Sequence, residues 1–166
     1  LTARPIFKIQ NLQIMKMANI FSALFLLLFF IQNTSFAQTS VGGKNCVGLW
    51  KTVDDETGKA RSHVRIWEEK GKFYGKVEKL LNRTADEDVD PICNVCPGDR
   101  KGKKVIGMSI IRGMVKESNR YAQGTILDPK KGNEYTCTMW LSNKDTLMVR
   151  GWWGIISRTQ TWYRLE

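Results

Sequence analysis

The chain has 166 residues, 42% apolar and 25% charged, with a formal net charge of +10. That balance belongs to one globular domain and excludes a disordered or low-complexity chain. The lone histidine, His63, excludes a Ser-His-Asp or Cys-His set unless it is itself the base, and no recognisable nucleic-acid module accompanies the positive charge.

Residues 1–37 differ in character from the rest. Lys16 precedes Ile20 to Ile31, a nearly unbroken apolar run of 12 residues, well short of the ~20 that span hydrocarbon. Ser35-Phe36-Ala37 ends it with the small-x-Ala pattern that signal peptidase cuts. Residues 1–37 are therefore expected to be upstream sequence plus an export signal, with a start at Met15 or Met17 and cleavage near Ala37. Losing Arg4, Lys8 and Lys16 takes the basic residues from 26 to 23 against 16 acidic, a mature charge of +7. Gly43-Lys44-Asn45 before Cys46 lacks the pattern of a lipidation site. A soluble periplasmic or secreted product is expected, in a compartment where thiols tend to become disulfides.

Residues 38–46 read as a short tail and 47–166 as a single domain. Short segments rich in β-branched and aromatic residues recur there between turn clusters: Val47 to Val53, Arg61 to Glu68, Lys72 to Leu80, then, after a long connection from Leu81 to Lys104, Val105 to Arg112, Arg120 to Asp128, Glu134 to Leu141, Asp145 to Trp153 and Ser157 to Leu165. "DPKKGN" and "SNKD" are tight turns, and short turns join antiparallel neighbours. No segment carries a 3.6-residue apolar stripe. The expected fold is all-β, an eight-stranded antiparallel up-and-down barrel, favoured over a sandwich because closure removes sheet edges. Gly75, Gly107, Gly124 and Gly151, each inside an expected strand, mark the bends that closure requires.

Gly48-Leu49-Trp50 opens the first strand, and Arg158 and Arg164 lie on the last. The pair resembles the closure of lipocalin-type barrels, in which a Trp plugs the base and a basic residue stacks on it. The wider set of motifs runs through Tyr74-Gly75-Lys76-Val77, Val105-Ile106-Gly107-Met108, Gly124-Thr125-Ile126-Leu127-Asp128-Pro129, Tyr135-Thr136-Cys137, Val149-Arg150-Gly151-Trp152 and Arg158-Thr159-Gln160-Thr161-Trp162. It resembles the exported bacterial family known as domain of unknown function twenty-one forty-seven. The resemblance implies a small exported lipocalin-like barrel; "PICNVCPG" departs from the family's usual loop.

In that stretch Pro97-Gly98 after Cys96 spoils the helix a redox C-x-x-C needs, and zinc lacks a second ligand pair. A Cys93–Cys96 disulfide is expected, with the pairing of Cys46 and Cys137 open. Asp86, Asp88 and Asp90 begin the spacing of a calcium loop, but Pro91 and Pro97 stand where its Gly and Glu belong. No metal or cofactor is expected. Arg100, Lys101, Lys103 and Lys104 form a basic run suited to an anionic envelope surface. His63, flanked by Arg61 and Arg65, is expected to face solvent.

Along the last two strands, Arg158, Gln160, Trp162 and Arg164 share one face, and Met148, Arg150 and Trp152 share another. Turned inward, such faces offer guanidinium and amide donors beside aromatic walls; turned outward, they form a surface ladder. Arg150 and Gln160 are expected inward, with Trp152, Trp162 and Tyr74 completing the ligand set. The expected function is binding of a small hydrophobic or amphipathic molecule by a monomeric barrel. The alternatives are an interaction module built on the 81–104 loop, and an enzyme of unknown reaction.

Overall fold

The computed structural model describes residues 45–166. The expected export signal and most of the N-terminal tail lie outside the described residues. In chain order the strands are β1 (Gly48–Val53), β2 (Ala60–Glu69), β3 (Lys72–Leu80), β4 (Ile92–Cys93), β5 (Lys103–Lys104), β6 (Ser109–Glu117), β7 (Arg120–Asp128), β8 (Asn133–Asn143), β9 (Thr146–Trp153) and β10 (Ile156–Arg164). The two short ones, β4 and β5, pair with each other within the long connection, which also carries a single 3₁₀ turn at Gly98–Arg100.

The eight long strands form a closed antiparallel barrel in chain order, with β3 pairing β6 across the connection and β10 returning to β1. Closure is set by the register Trp50↔Arg164, Lys51↔Tyr163 and Thr52↔Trp162. Apolar residues at period two build the inner face: Val64 and Ile66 on β2, Phe73 and Val77 on β3, and Leu147 and Val149 on β9 are all buried.

The fourth long strand, β6, departs from expectation. It begins at Ser109 rather than Val105 and runs on to Glu117. Gly107, at φ +86°, and the bond from Val105 N–H to the Pro91 carbonyl keep the earlier residues in the connection. Gly113 sits inside β6 at φ +69°, where the β3–β6 pairing shifts register between Gly75↔Ile111 and Phe73↔Met114, while the β6–β7 register stays constant. A bulge there carries β6 past Arg112, where the expected strand ended.

Candidate functional site

The barrel has two unlike ends. At one, Trp50 is wholly buried and its indole Nε1 donates to the Cys46 carbonyl at 2.8 Å. The Arg164 guanidinium carbon lies 4.2 Å from the centroid of that ring. Its nitrogens donate to the carbonyls of Lys144 at 2.7 Å, Val47 at 2.8 Å and Asn45 at 2.8 Å. One cation thus covers the plug and ties the incoming chain to the β8–β9 turn, with its donors satisfied by backbone. Gly48 has φ +138°, and a Cβ there would run into the Glu166 carbonyl and meet Arg164 Nη1 at 2.8 Å, so the glycine of G-x-W makes room for the C-terminal backbone and this cation. Phe73 and Tyr121 pack edge to face at 4.7 Å between centroids, and the Tyr121 hydroxyl accepts from Cys46 N–H at 3.1 Å.

The opposite end is open. The β1–β2, β7–β8 and β9–β10 turns and the 81–108 connection surround a cavity of about 870 Å³. Its inner walls include Val77, Ile126, Tyr135, Val149, Gly151 and Trp162, with Leu80, Val105, Ile110 and Leu127 toward the connection. Polar groups are few inside. Thr52 and Ser62 pair hydroxyl to hydroxyl at 2.8 Å, and Gln160 Oε1 accepts from the Trp162 indole at 3.3 Å. Because an indole N–H only donates, that bond fixes the Gln160 amide with its NH₂ free for the cavity. The rim is basic: Lys59, Arg61, Arg83, Lys130, Lys131 and Arg158 line the mouth alongside Asp54, Glu87 and Asp128.

The structure divides the expected ligand residues. Gln160 and Trp162 line the cavity, whereas Arg150, Trp152 and Tyr74 face outward. Arg150 donates to the Thr159 hydroxyl at 2.8 Å and lies 5.0 Å from the Trp140 ring and 5.5 Å from the Trp152 ring. Its register neighbours are Thr159 and Thr138, while the alternate residue Val149 faces the cavity. Burying this guanidinium inside would cost its hydration; outside, it covers two indoles and keeps its water. Tyr74 stacks on Trp67 at 5.7 Å, one residue out of phase with inward Phe73 and Gly75. Arg158 is not part of the closure, contrary to expectation. At the open rim it holds Asp55 at 2.6 Å through Nε and Glu56 at 3.3 Å, and its hydrogen bonds hold the Asp55 carboxyl below the usual range. Missed from the sequence were Thr52, Ser62, Ile126 and Tyr135, whose inward phase follows only from the register, and the turn lysines Lys130 and Lys131.

Cys93 and Cys96 are joined by a disulfide, Cα to Cα 5.5 Å. The connection is strapped to the outer wall beside the open end. Arg112 grips Asp99 through two bonds of 2.8 Å, Arg100 donates to Glu134 at 2.6 Å, and Lys104 pairs with Asp90 at 3.0 Å. The Arg112 hydrogen bonds hold Asp99 down at about 2. Arg100 is only 5% exposed, with Nε and Nη1 unpartnered among the described residues. Half of the basic run is therefore engaged, Arg100 with the wall and Lys104 within the connection, leaving Lys101 and Lys103 outward. His63 stands on β2 between Lys51 and Lys79 on the neighbouring strands, out of phase with the buried Ser62 and Val64. Cys46 and Cys137 are free, wholly buried thiols, each pushed up to about 12 chiefly by burial, so they behave as small apolar side chains. Among the described residues, no group of three His, Cys, Asp or Glu side chains is placed to hold a metal ion.

Comparison with known proteins agrees with this architecture. No curated protein matches the chain. A solved structure, protein HP1028 from the human pathogen Helicobacter pylori, described as belonging to the lipocalin family, superposes with a TM-score of 0.62 at 20% identity, over 74% of this chain and 84% of that one. At that identity the likeness is one of fold. The model of a family described as an uncharacterized protein conserved in bacteria, DUF2147, matches residues 48–164, the span from the glycine of the plug to the arginine that covers it, and the chain belongs to that family.

Proposed function

We propose that this barrel binds an amphipathic molecule with an apolar chain and an anionic or strongly accepting head, fatty-acid- or lipid-like in character, and that it does so as an exported protein. The observation that carries this reading is the cavity of about 870 Å³ in the open half, a volume within the range of small-molecule sites. Its inner walls are mostly apolar, while the Gln160 amide and the basic rim supply donors for one polar head. A purely apolar ligand would leave those donors idle, and a highly charged one would meet too few of them inside. Export is supported by the apolar run before Ala37 and by the Cys93–Cys96 pair, a bond characteristic of oxidising compartments.

The test is native mass spectrometry of protein purified from its own host, which should find a co-purified amphipathic molecule. Gly151 lines the cavity outside the left-handed backbone region, and a Cβ added there would have its nearest neighbour, Tyr135, at 3.4 Å. Gly151→Leu should therefore fill the cavity without strain and lower the affinity for a fluorescent fatty acid by roughly tenfold or more. Unchanged affinity in a folded Gly151→Leu variant would move the ligand out of the barrel.

A further inference from the structure

The apolar residues left in solvent are unevenly placed. Trp153, Ile155 and Ile156 are 76%, 97% and 67% exposed, and all three sit at the β9–β10 turn, on the open rim. Across the mouth, Val95 is 63% exposed at the tip of the disulfide-pinned connection. Its carbonyl is seated against Gly132 of the β7–β8 turn. Trp153, Ile156 and Val95 also line the entrance of the cavity, so this apolar surface is continuous with the path a ligand must take. Loops carrying adjacent exposed Trp and Ile side chains mark an interaction surface, not an ordinary solvated turn.

Charge selects the occupant. Lys59, Lys130 and Lys131 lie on the same rim, are exposed, and take part in no ion pair among the described residues. By contrast, the nearby Arg61, Arg83 and Arg158 are each held by carboxylates. Free lysines encircling an apolar tip, with Trp among the tip residues, match the layered chemistry of a bilayer interface: phosphates outside, acyl chains beneath. We infer that the open mouth docks on an anionic lipid bilayer, with Trp153, Ile155, Ile156 and Val95 entering the interfacial layer and the three lysines meeting the lipid phosphates. This rests on the cavity reading for its purpose, which is to let an amphipathic ligand pass between bilayer and barrel without crossing water. The basic run of the connection is not the docking element, because none of Arg100, Lys101, Lys103 and Lys104 lines the mouth, and Arg100 and Lys104 are spent on Glu134 and Asp90.

The experiment is sedimentation of the host-purified protein with large unilamellar vesicles of phosphatidylglycerol and phosphatidylethanolamine, beside vesicles of phosphatidylcholine. Binding to the anionic vesicles should be stronger by roughly tenfold and should weaken with added salt, because the lysine contacts are exposed and screened. Ile155→Asp with Ile156→Asp, and separately Lys130→Glu with Lys131→Glu, should each lower it by about tenfold while leaving the circular dichroism spectrum unchanged. A matched change at the other end, Tyr163→Asp with Leu165→Asp, should leave binding intact. Equal binding to both vesicle types, or full binding by either rim variant, overturns the proposal. So does a dimer in solution that the Ile155→Asp, Ile156→Asp variant dissolves, since a second copy would then be what covers the rim. Displacement of a fluorescent fatty acid in vesicle-free buffer is read separately. Its failure would remove the cavity reading while vesicle binding still decided the docking surface.

Discussion

The two ends of this barrel are built from the same strands and solve opposite problems. At the closed end the inward residues are large: Trp50, Ile66, Phe73 and Met139 meet with almost no exposure, and Arg164 seals the layer. At the open end the same strands turn small or polar, with Thr52 following Trp50 on β1, Ser62 preceding Val64 on β2, and Gly151 following Val149 on β9. The cavity exists because side-chain volume falls along these strands, and the register shifts of β1 at Thr52/Val53 and of β2 at His63/Val64 fall where it opens. Stability is concentrated at one end, and the space for a ligand at the other.

That contrast is most directly broken by removing the plug. Trp50→Ala should cost about 3–5 kcal/mol, the range for truncating a buried large aromatic, and it also deprives Arg164 of the ring it covers. Urea denaturation should show the loss, whereas Gly151→Leu at the other end should leave the midpoint nearly unmoved. A mild effect at Trp50 would mean that the ladder around the barrel, and not this layer, holds the fold.

A second test addresses how the open end keeps its shape. The connection there has a disulfide where the closed end has packing. Closing a four-residue loop contributes only about 2 kcal/mol by chain entropy, so Cys93→Ser with Cys96→Ser should lower stability by about that much. Thermal unfolding in oxidising buffer would measure it, and reductant should move the wild type toward the variant. Ligand release should quicken in the same variant, because Val95 is held at the rim through this pinned turn.

Much of this was legible in the sequence. The expected strands Lys72 to Leu80 and Arg120 to Asp128 coincide with β3 and β7, because period-two alternation bounded by turn residues leaves little freedom. The plug was legible too, since a G-x-W at one terminus and an arginine at the other have few other reasons to meet. The phase of β9 was not. Leu147, Val149 and Gly151 alternate with Met148, Arg150 and Trp152, and both sets contain apolar residues, so neither face announces itself. The surface ladder of Trp140, Arg150 and Trp152 imitates a cavity wall, and only the position of Val149 opposite Gln160 separates the two. The bulge at Gly113 was hidden for a related reason: the extra residue on β6 shows only in its pairing with β3.

A smaller effect sharpens the chemistry of the open end. In Gln160→Glu the side chain still accepts from the Trp162 indole, but the NH₂ donor facing the cavity is replaced by a carboxylate. Affinity for a fatty acid should fall by roughly tenfold, about 1.4 kcal/mol, while its neutral alcohol analogue should lose much less, and the unfolding midpoint should stay close to the wild type's. Equal losses for acid and alcohol in a displacement assay would mean that Gln160 shapes the cavity without touching the head group.

The smallest effect concerns the strap. Asp99 is held at about 2 by the two Arg112 hydrogen bonds, below the ordinary carboxylate value of ~3.9. A group whose folded pKa is depressed contributes stability that is fully present above its unfolded pKa and is lost as pH falls through its folded one. The contribution of this pair should therefore be intact at neutral pH and fade between about pH 4 and pH 2. Because Asp99 is exposed, solvent screens the pair and the effect on global unfolding is small. It should be clearest locally, in hydrogen exchange of the amides between Cys96 and Lys104, which should quicken in Asp99→Asn at pH 7 but differ little from the wild type near pH 2. At the closed end the amides beside Trp50, covered by an Arg164 that is tied to backbone carbonyls that do not titrate, should show no such change over the same interval. Equal acid sensitivity at both ends would mean that the strap is held by packing, not by its charges.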